Sequence, residues 1–112
     1  MSSAGLGDLE QIVLLAVLRL NDEAYAVSVR DEIETRTSRV VSRGAVYVTL
    51  DRLERKGFLS SRRSQPTPER GGKAKRIFRI EPTGRAALQA SLDTIQQMVE
   101  GLREELAWNP TP

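Results

Sequence analysis

Ser42–Gly57, SRGAVYVTLDRLERKG, is the stretch whose reading decides the fold. Val46, Leu50 and Leu53 recur at i, i+4 and i+7, which places them on one stripe of a helix. Ser42 suits the N-cap, where a hydroxyl accepts from a free backbone N–H one turn in. Gly57 suits the far end, where a left-handed residue is wanted. The opposite face carries Gly44, Val48, Asp51, Arg52 and Arg55, with Arg43 and Tyr47 at its edge. A helix of this kind is either an ordinary amphipathic surface helix or one that inserts into a groove. Its neighbours in the chain decide between the two.

Downstream, Phe58–Ser64 is bounded like a strand, and Lys75–Ile80 alternates with Arg76, Phe78 and Ile80 on one side. Between them QPTPERGGKA, residues 65–74, holds two Pro and two Gly and can continue neither element. The predicted result is a β-hairpin with a long tip, placed directly after the third helix. A hairpin in that position is a wing, taken here as residues 62–79. Arg70, Lys73, Lys75 and Arg76 give it a cation density that suits phosphate neutralisation or entry into a minor groove. The plainer alternative is a surface hairpin whose charges only face solvent.

Upstream, Asp8 is the expected cap of a first helix with Leu9, Ile12, Val13, Leu15, Ala16, Leu18 and Leu20 as its apolar set. Val13 to Leu18 are consecutive apolar residues, so this helix is predicted to be buried on two faces. The second face would meet a partner chain, or the helix is central to the monomer. Asn21-Asp22-Glu23 reads as a turn. A second helix follows from about Tyr25 to Arg36, with Ala26, Val29 and Ile33 inward. Three helices on short turns, the third with a polar outer face, make a helix-turn-helix.

The chain closes with a predicted helix from Pro82, well placed at a first helical position, to about Trp108. Leu88, Leu92, Ile95, Val99, Leu102 and Leu106 are spaced 4, 3, 4, 3, 4, an a/d heptad seam. Gly101 inside it costs about 1 kcal/mol relative to Ala. A seam with so little domain left to cover it points to dimerisation.

Composition removes most chemistry. The 112 residues include no Cys and no His, so thiol and imidazole nucleophiles, the commonest transition-metal ligands and disulfides are excluded. No acid pair, nucleophile–base set or phosphate-cradling loop is legible, which argues against an enzyme, and no cofactor is expected. No apolar run is long enough to span a bilayer and the start lacks a basic signal-peptide region, so a cytoplasmic location is expected. The net charge of +2 is unevenly spread. Residues 1–51 carry −3, residues 52–80 carry +8 and residues 81–112 carry −3. Positive charge packed into a quarter of the chain suits a polyanionic partner.

Four stretches resemble the PadR family of bacterial transcriptional regulators: LGDLEQIVLLAVLRL (6–20), AYAVSVRDEIE (24–34), SRGAVYVTLDRLERKGFLSS (42–61) and PERGGKAKRIFRIEPTGRAAL (68–88). They lie in the family's order, and GAVYVTLDRLERKG and RGGKAKRIFRI are the most specific. The resemblance implies a winged helix-turn-helix over residues 1–81 and a single dimerisation helix over residues 82–109, as in the family's smaller branch. It implies a homodimer on a palindromic operator in double-stranded DNA, usually as a repressor. The sequence departs from the family pattern at Glu81, where a Thr usually caps the last helix, and at Ala26, often Gly. Some members sense aromatic acids or planar drugs in an interface pocket lined by aromatics. Here the last helix offers only Trp108, so a small-molecule effector stays unidentified.

The fold class expected is therefore mainly α with a small β-hairpin. Ser42, Arg43, Gly44, Tyr47, Val48 and Arg52 are assigned to the major-groove face, and Arg70, Lys73, Lys75 and Arg76 to the wing. Arg43 can reach guanine or a phosphate, Gly44 lets the backbone come close, and Tyr47 either offers its hydroxyl to a phosphate or simply packs. Val46, Leu50, Leu53, Ile77 and Ile80 are assigned to the core. The competing function is a winged-helix module that binds protein without specific DNA recognition.

Overall fold

The computed structural model describes residues 5–65 and 74–107. Its elements are α1 (Asp8–Leu20), a 3₁₀ turn at Asn21–Glu23, α2 (Ala26–Arg36), α3 (Arg43–Arg55), β1 (Leu59–Arg63), β2 (Arg76–Ile80), α4 (Pro82–Val99) and α5 (Arg103–Leu106). Three helices followed by a hairpin is a winged helix-turn-helix, mainly helical with a two-stranded antiparallel wing.

α1 is the central helix, packed by α2, α3, β2 and α4. Val13, Leu14, Ala16 and Val17 on it are buried, and they join Val29 and Ile33 of α2, Val46, Leu50 and Leu53 of α3, Leu59 and Phe78 of the hairpin and Leu88 of α4 in one core. Its N-terminus corrects the sequence reading. The cap is Gly7, not Asp8: Gly7 N–H donates to Glu10 Oε1 at 2.7 Å, and Asp8 instead pairs with Arg39 on the α2–α3 turn. Glu10 is 6 % exposed and accepts from Lys56 Nζ at 2.8 Å, which ties the start of α1 to the end of α3. Burial works to raise the Glu10 carboxyl. The Lys56 hydrogen bond, the Gly7 N–H and the charges of Lys56 and Arg52 outweigh it and hold the group below the usual carboxylate range.

The ends of α3 follow from local chemistry. Ser42 Oγ accepts from Ala45 N–H at 3.0 Å. At the other end Gly57 takes φ +82°, Gly57 N–H donates to Glu54 O at 2.9 Å and Phe58 N–H to Leu53 O at 3.0 Å. That pair of bonds is a Schellman closure, which needs the left-handed residue that glycine adopts without a Cβ penalty.

β1 and β2 pair antiparallel, Leu59 opposite Ile80 and Arg63 opposite Arg76. Phe78 N–H also donates to Ala24 O at 2.7 Å, so the extended link before α2 supports β2 from its other edge. Ser64 N–H to Lys75 O (2.8 Å) and Lys75 N–H to Ser64 Oγ (2.9 Å) extend the ladder by one step. Arg70, Lys73 and Trp108 lie outside the described residues.

α4 is seated on the end of α3. Glu81 N–H donates to Phe58 O at 2.9 Å and Thr83 Oγ1 to Gly57 O at 2.6 Å. A Cβ on Gly84 would stand 2.2 Å from Phe58 O, so only glycine allows this approach. Glu81 is the N-cap residue and gives no side-chain cap. The single helix expected to run to Trp108 is two. α4 stops at Val99, Gly101 turns with φ +85°, and α5 is one short turn beyond it. The heptad seam is therefore interrupted: Leu102 and Leu106 lie past the break and off the straight stripe. Within the seam Leu88 alone is buried; Val99 is half-buried and Leu92, Ile95, Leu102 and Leu106 are exposed.

Candidate nucleic-acid interface

The outward face of α3 is the candidate site. Its amphipathic spacing sends Val46, Leu50 and Leu53 into the core at 0 % exposure and leaves Ser42, Arg43, Gly44, Tyr47, Val48 and Arg52 exposed. Thr49 is buried and returns its hydroxyl to Ala45 O at 2.8 Å. A Cβ on Gly44 would meet nothing within 4 Å, so nothing among the described residues requires glycine there. The bare backbone at that point is available to a partner. Val48 is an exposed aliphatic group on the same face, chemically suited to a thymine methyl.

The wing stands beside α3, and its cations do not all face outward. Arg76, assigned from sequence to phosphate neutralisation, turns back onto α3. Nη2 donates to Glu54 Oε1 at 2.5 Å and to Asp51 Oδ1 at 3.3 Å, Nη1 donates to Tyr47 Oη at 2.8 Å, and Nε donates to Ser61 Oγ at 3.2 Å. Ser61 Oγ in turn donates to Glu54 Oε1 at 2.8 Å. The guanidinium carbon lies 4.8 Å from the centre of the Phe78 ring and 5.5 Å from that of Tyr47. Burial opposes the charged form of Arg76, but Glu54, Tyr47 and Asp51 raise its pKa above the ordinary value. Lys75 is half-buried, its Nζ 4.1 Å above the Tyr25 ring, a cation–π contact.

Sequence reasoning did not single out Glu54, Asp51 or Ser61 as partners of Arg76. The signal was thin: two acids on an otherwise basic segment, with the arginine 22 residues from Glu54. It also passed over Arg62, Arg63 and Arg79, the hairpin cations that are exposed among the described residues. Among the described residues no group of three or more Asp or Glu could hold a metal ion, and no helix is long and apolar enough to cross a membrane.

Residues 14–90 match the model of the Transcriptional regulator PadR-like family. The chain belongs to that family. This PadR chain is thus a transcriptional regulator, and its fold is that of known winged-helix DNA-binding proteins. A PadR-like transcriptional regulator from Bacillus cereus superposes with a TM-score of 0.70 at 16% identity, covering 90% of this chain and 93% of that one. A winged-helix DNA-binding protein from STIV gives 0.62 at 18% identity, over 81% and 90% of the two chains. BpsR of Bordetella bronchiseptica, described for the regulation of its DNA binding by 6-hydroxynicotinic acid, gives 0.65 at 18% identity over 98% and 73%. A comparison with curated protein sequences gives no match.

Proposed function

We propose that this PadR regulator represses transcription as a homodimer, each protomer laying α3 in the major groove of one half of a palindromic operator. The observation that carries the reading is the division of α3: aliphatic residues wholly buried on one side, and on the other Arg43, Arg52, Tyr47 and Val48 exposed around a bare Gly44. Thirteen helical residues span about 20 Å, long enough to follow a groove about 12 Å wide. Residues 1–81 are the DNA-binding part and residues 82–109 the dimerisation part. The dimer reading rests on apolar surface left open in one protomer: Leu92, Ile95 and Met98 on α4, and a groove of about 560 Å³ between α1 and α2 that includes Ile12, Leu15, Leu18 and Ile33. The protein acts in the cytoplasm, without catalysis or cofactor.

The test is enrichment of duplexes from a random library, followed by fluorescence anisotropy on the enriched sequence and on random duplex. Binding that prefers the enriched, palindromic sequence is expected. Arg43→Ala removes about 1–3 kcal/mol of that preference if Arg43 reads a guanine, and an equal loss on both duplexes assigns it to phosphate. Absence of duplex binding decides for a protein-interaction module. BpsR makes a heteroaromatic acid the first ligand class to titrate for release from DNA.

A further inference from the structure

We propose that Arg76 is a positioning residue and not a phosphate contact: it braces the wing against α3 and, by donating to the Tyr47 oxygen, turns the Tyr47 O–H outward as a donor to DNA. This rests on the DNA-binding reading of α3 and adds a division of labour among its cations.

The first ground is the commitment of the guanidinium. All three of its nitrogens donate, to Ser61, Tyr47, Glu54 and Asp51, and the side chain is 25% exposed. Reaching a phosphate would break the short Glu54 bond. It would also strip half-buried Glu54 of its cation beside a polyanion and leave Asp51 paired with Arg55 alone, and half-buried acids without a partner are costly. The second ground is the anchor beneath it. Arg76 lies over Phe78, which is 1% exposed and holds Ala24 O through its backbone N–H. The wing end of the contact is thereby fixed in the core, and the α3 end is fixed by Leu50 and Leu53 on either side of Asp51. Arg76 thus joins two rigid elements and sets the angle between them.

The third ground is the hydroxyl. A phenol has one hydrogen to donate and lone pairs to accept with. Arg76 Nη1 occupies the accepting side of Tyr47 Oη at 2.8 Å, so the O–H cannot point at the guanidinium. The nearby acids are already held by Arg76, and among the described residues the Tyr47 O–H donates to nothing. Tyr47 is 45% exposed, on the face that carries Arg43, Val48 and Arg52. Its hydrogen is thus directed to that face.

The test uses Arg76→Met/Glu54→Gln, which removes one cation and one acid and leaves the net charge unchanged, with thermal unfolding to verify the fold. Affinity for a duplex enriched by the native chain is measured across a salt series, with and without Tyr47→Phe in each background. Weaker binding with an unchanged slope of log affinity against log salt is expected. Tyr47→Phe should cost several-fold in the native background and nearly nothing in the double variant. A slope flattened by about 0.9 per protomer overturns the proposal, because Arg76 would then be neutralising a phosphate. A Tyr47→Phe effect of equal size in both backgrounds also overturns it. A native chain that binds no duplex removes the DNA reading itself, an outcome visible before any variant is compared.

Discussion

Gly84→Ala sets two opposed expectations against each other. Judged from helix propensity alone, alanine in the first turn of α4 stabilises by about 1 kcal/mol. The packing says otherwise. The added Cβ would lie 2.2 Å from Phe58 O and 2.9 Å from Phe58 C and Cβ, where carbon–oxygen contacts ordinarily begin at about 3.3 Å. About 1 Å must open, and the obstacle is backbone already held by the Phe58 N–H bond to Leu53 O. Moving α4 away loosens the Glu81 N–H to Phe58 O and Thr83 Oγ1 to Gly57 O bonds, each worth about 1 kcal/mol. Overpacking strain adds about 1–3 kcal/mol. Set against the propensity gain, the net expectation is a loss of about 2–4 kcal/mol. Urea unfolding followed by circular dichroism, at one protein concentration for both chains because a dimer's stability depends on it, gives the difference directly. A Gly84→Ala protein as stable as the native one, or more so, refutes the reasoning.

Gly44→Ala is the counterpart, since its Cβ meets nothing. Stability should rise by up to about 1 kcal/mol while affinity for the enriched duplex falls, and unchanged affinity would show that the bare backbone is not used. The Glu10–Lys56 pair predicts an acid dependence. The folded Glu10 carboxyl titrates below its unfolded value, so its contribution is present above the unfolded pKa and lost as pH falls through the folded one. Glu10→Gln should therefore cost on the order of 1 kcal/mol at neutral pH, and the gap should close on acidification; a gap constant in urea titrations down the carboxylate range contradicts this. Leu92→Asp with Val99→Asp should give monomers or insoluble protein, read by light scattering, and an intact soluble dimer would move the interface off α4.

What the sequence made legible was what neighbours in the chain decide. The α3 stripe, the Ser42 cap and the Gly57 closure involve residues one turn apart, and each stands as read. The hairpin and its strands were equally visible, because Pro and Gly at 65–74 exclude any alternative there. Less local features were not. By local pattern Gly101 sits inside a continuous helix, where it would cost about 1 kcal/mol. At φ +85° it is where that helix has already ended, an outcome that depends on how little α4 packs against beyond Leu88. Asp8 has the residue type of a cap, yet Glu10, three residues beyond Gly7, accepts the Gly7 N–H instead. The charge of Arg76 is legible in the chain, but its pairing with Glu54 and Asp51 across more than twenty residues is not. The exposed α3 residues stand where the helical spacing puts them.

The corner at Gly57–Phe58 has a mechanical consequence. It closes α3, begins the wing and receives α4 through two hydrogen bonds and the Gly84 contact, so the three elements share one fulcrum. α4 runs 18 residues from that point, about 27 Å at 1.5 Å per residue. A rotation of about ten degrees at the corner therefore displaces Val99 by about 5 Å on that same helical rise. Conversely, whatever clamps the far end of α4 holds the angle of α3 with the leverage of that whole arm.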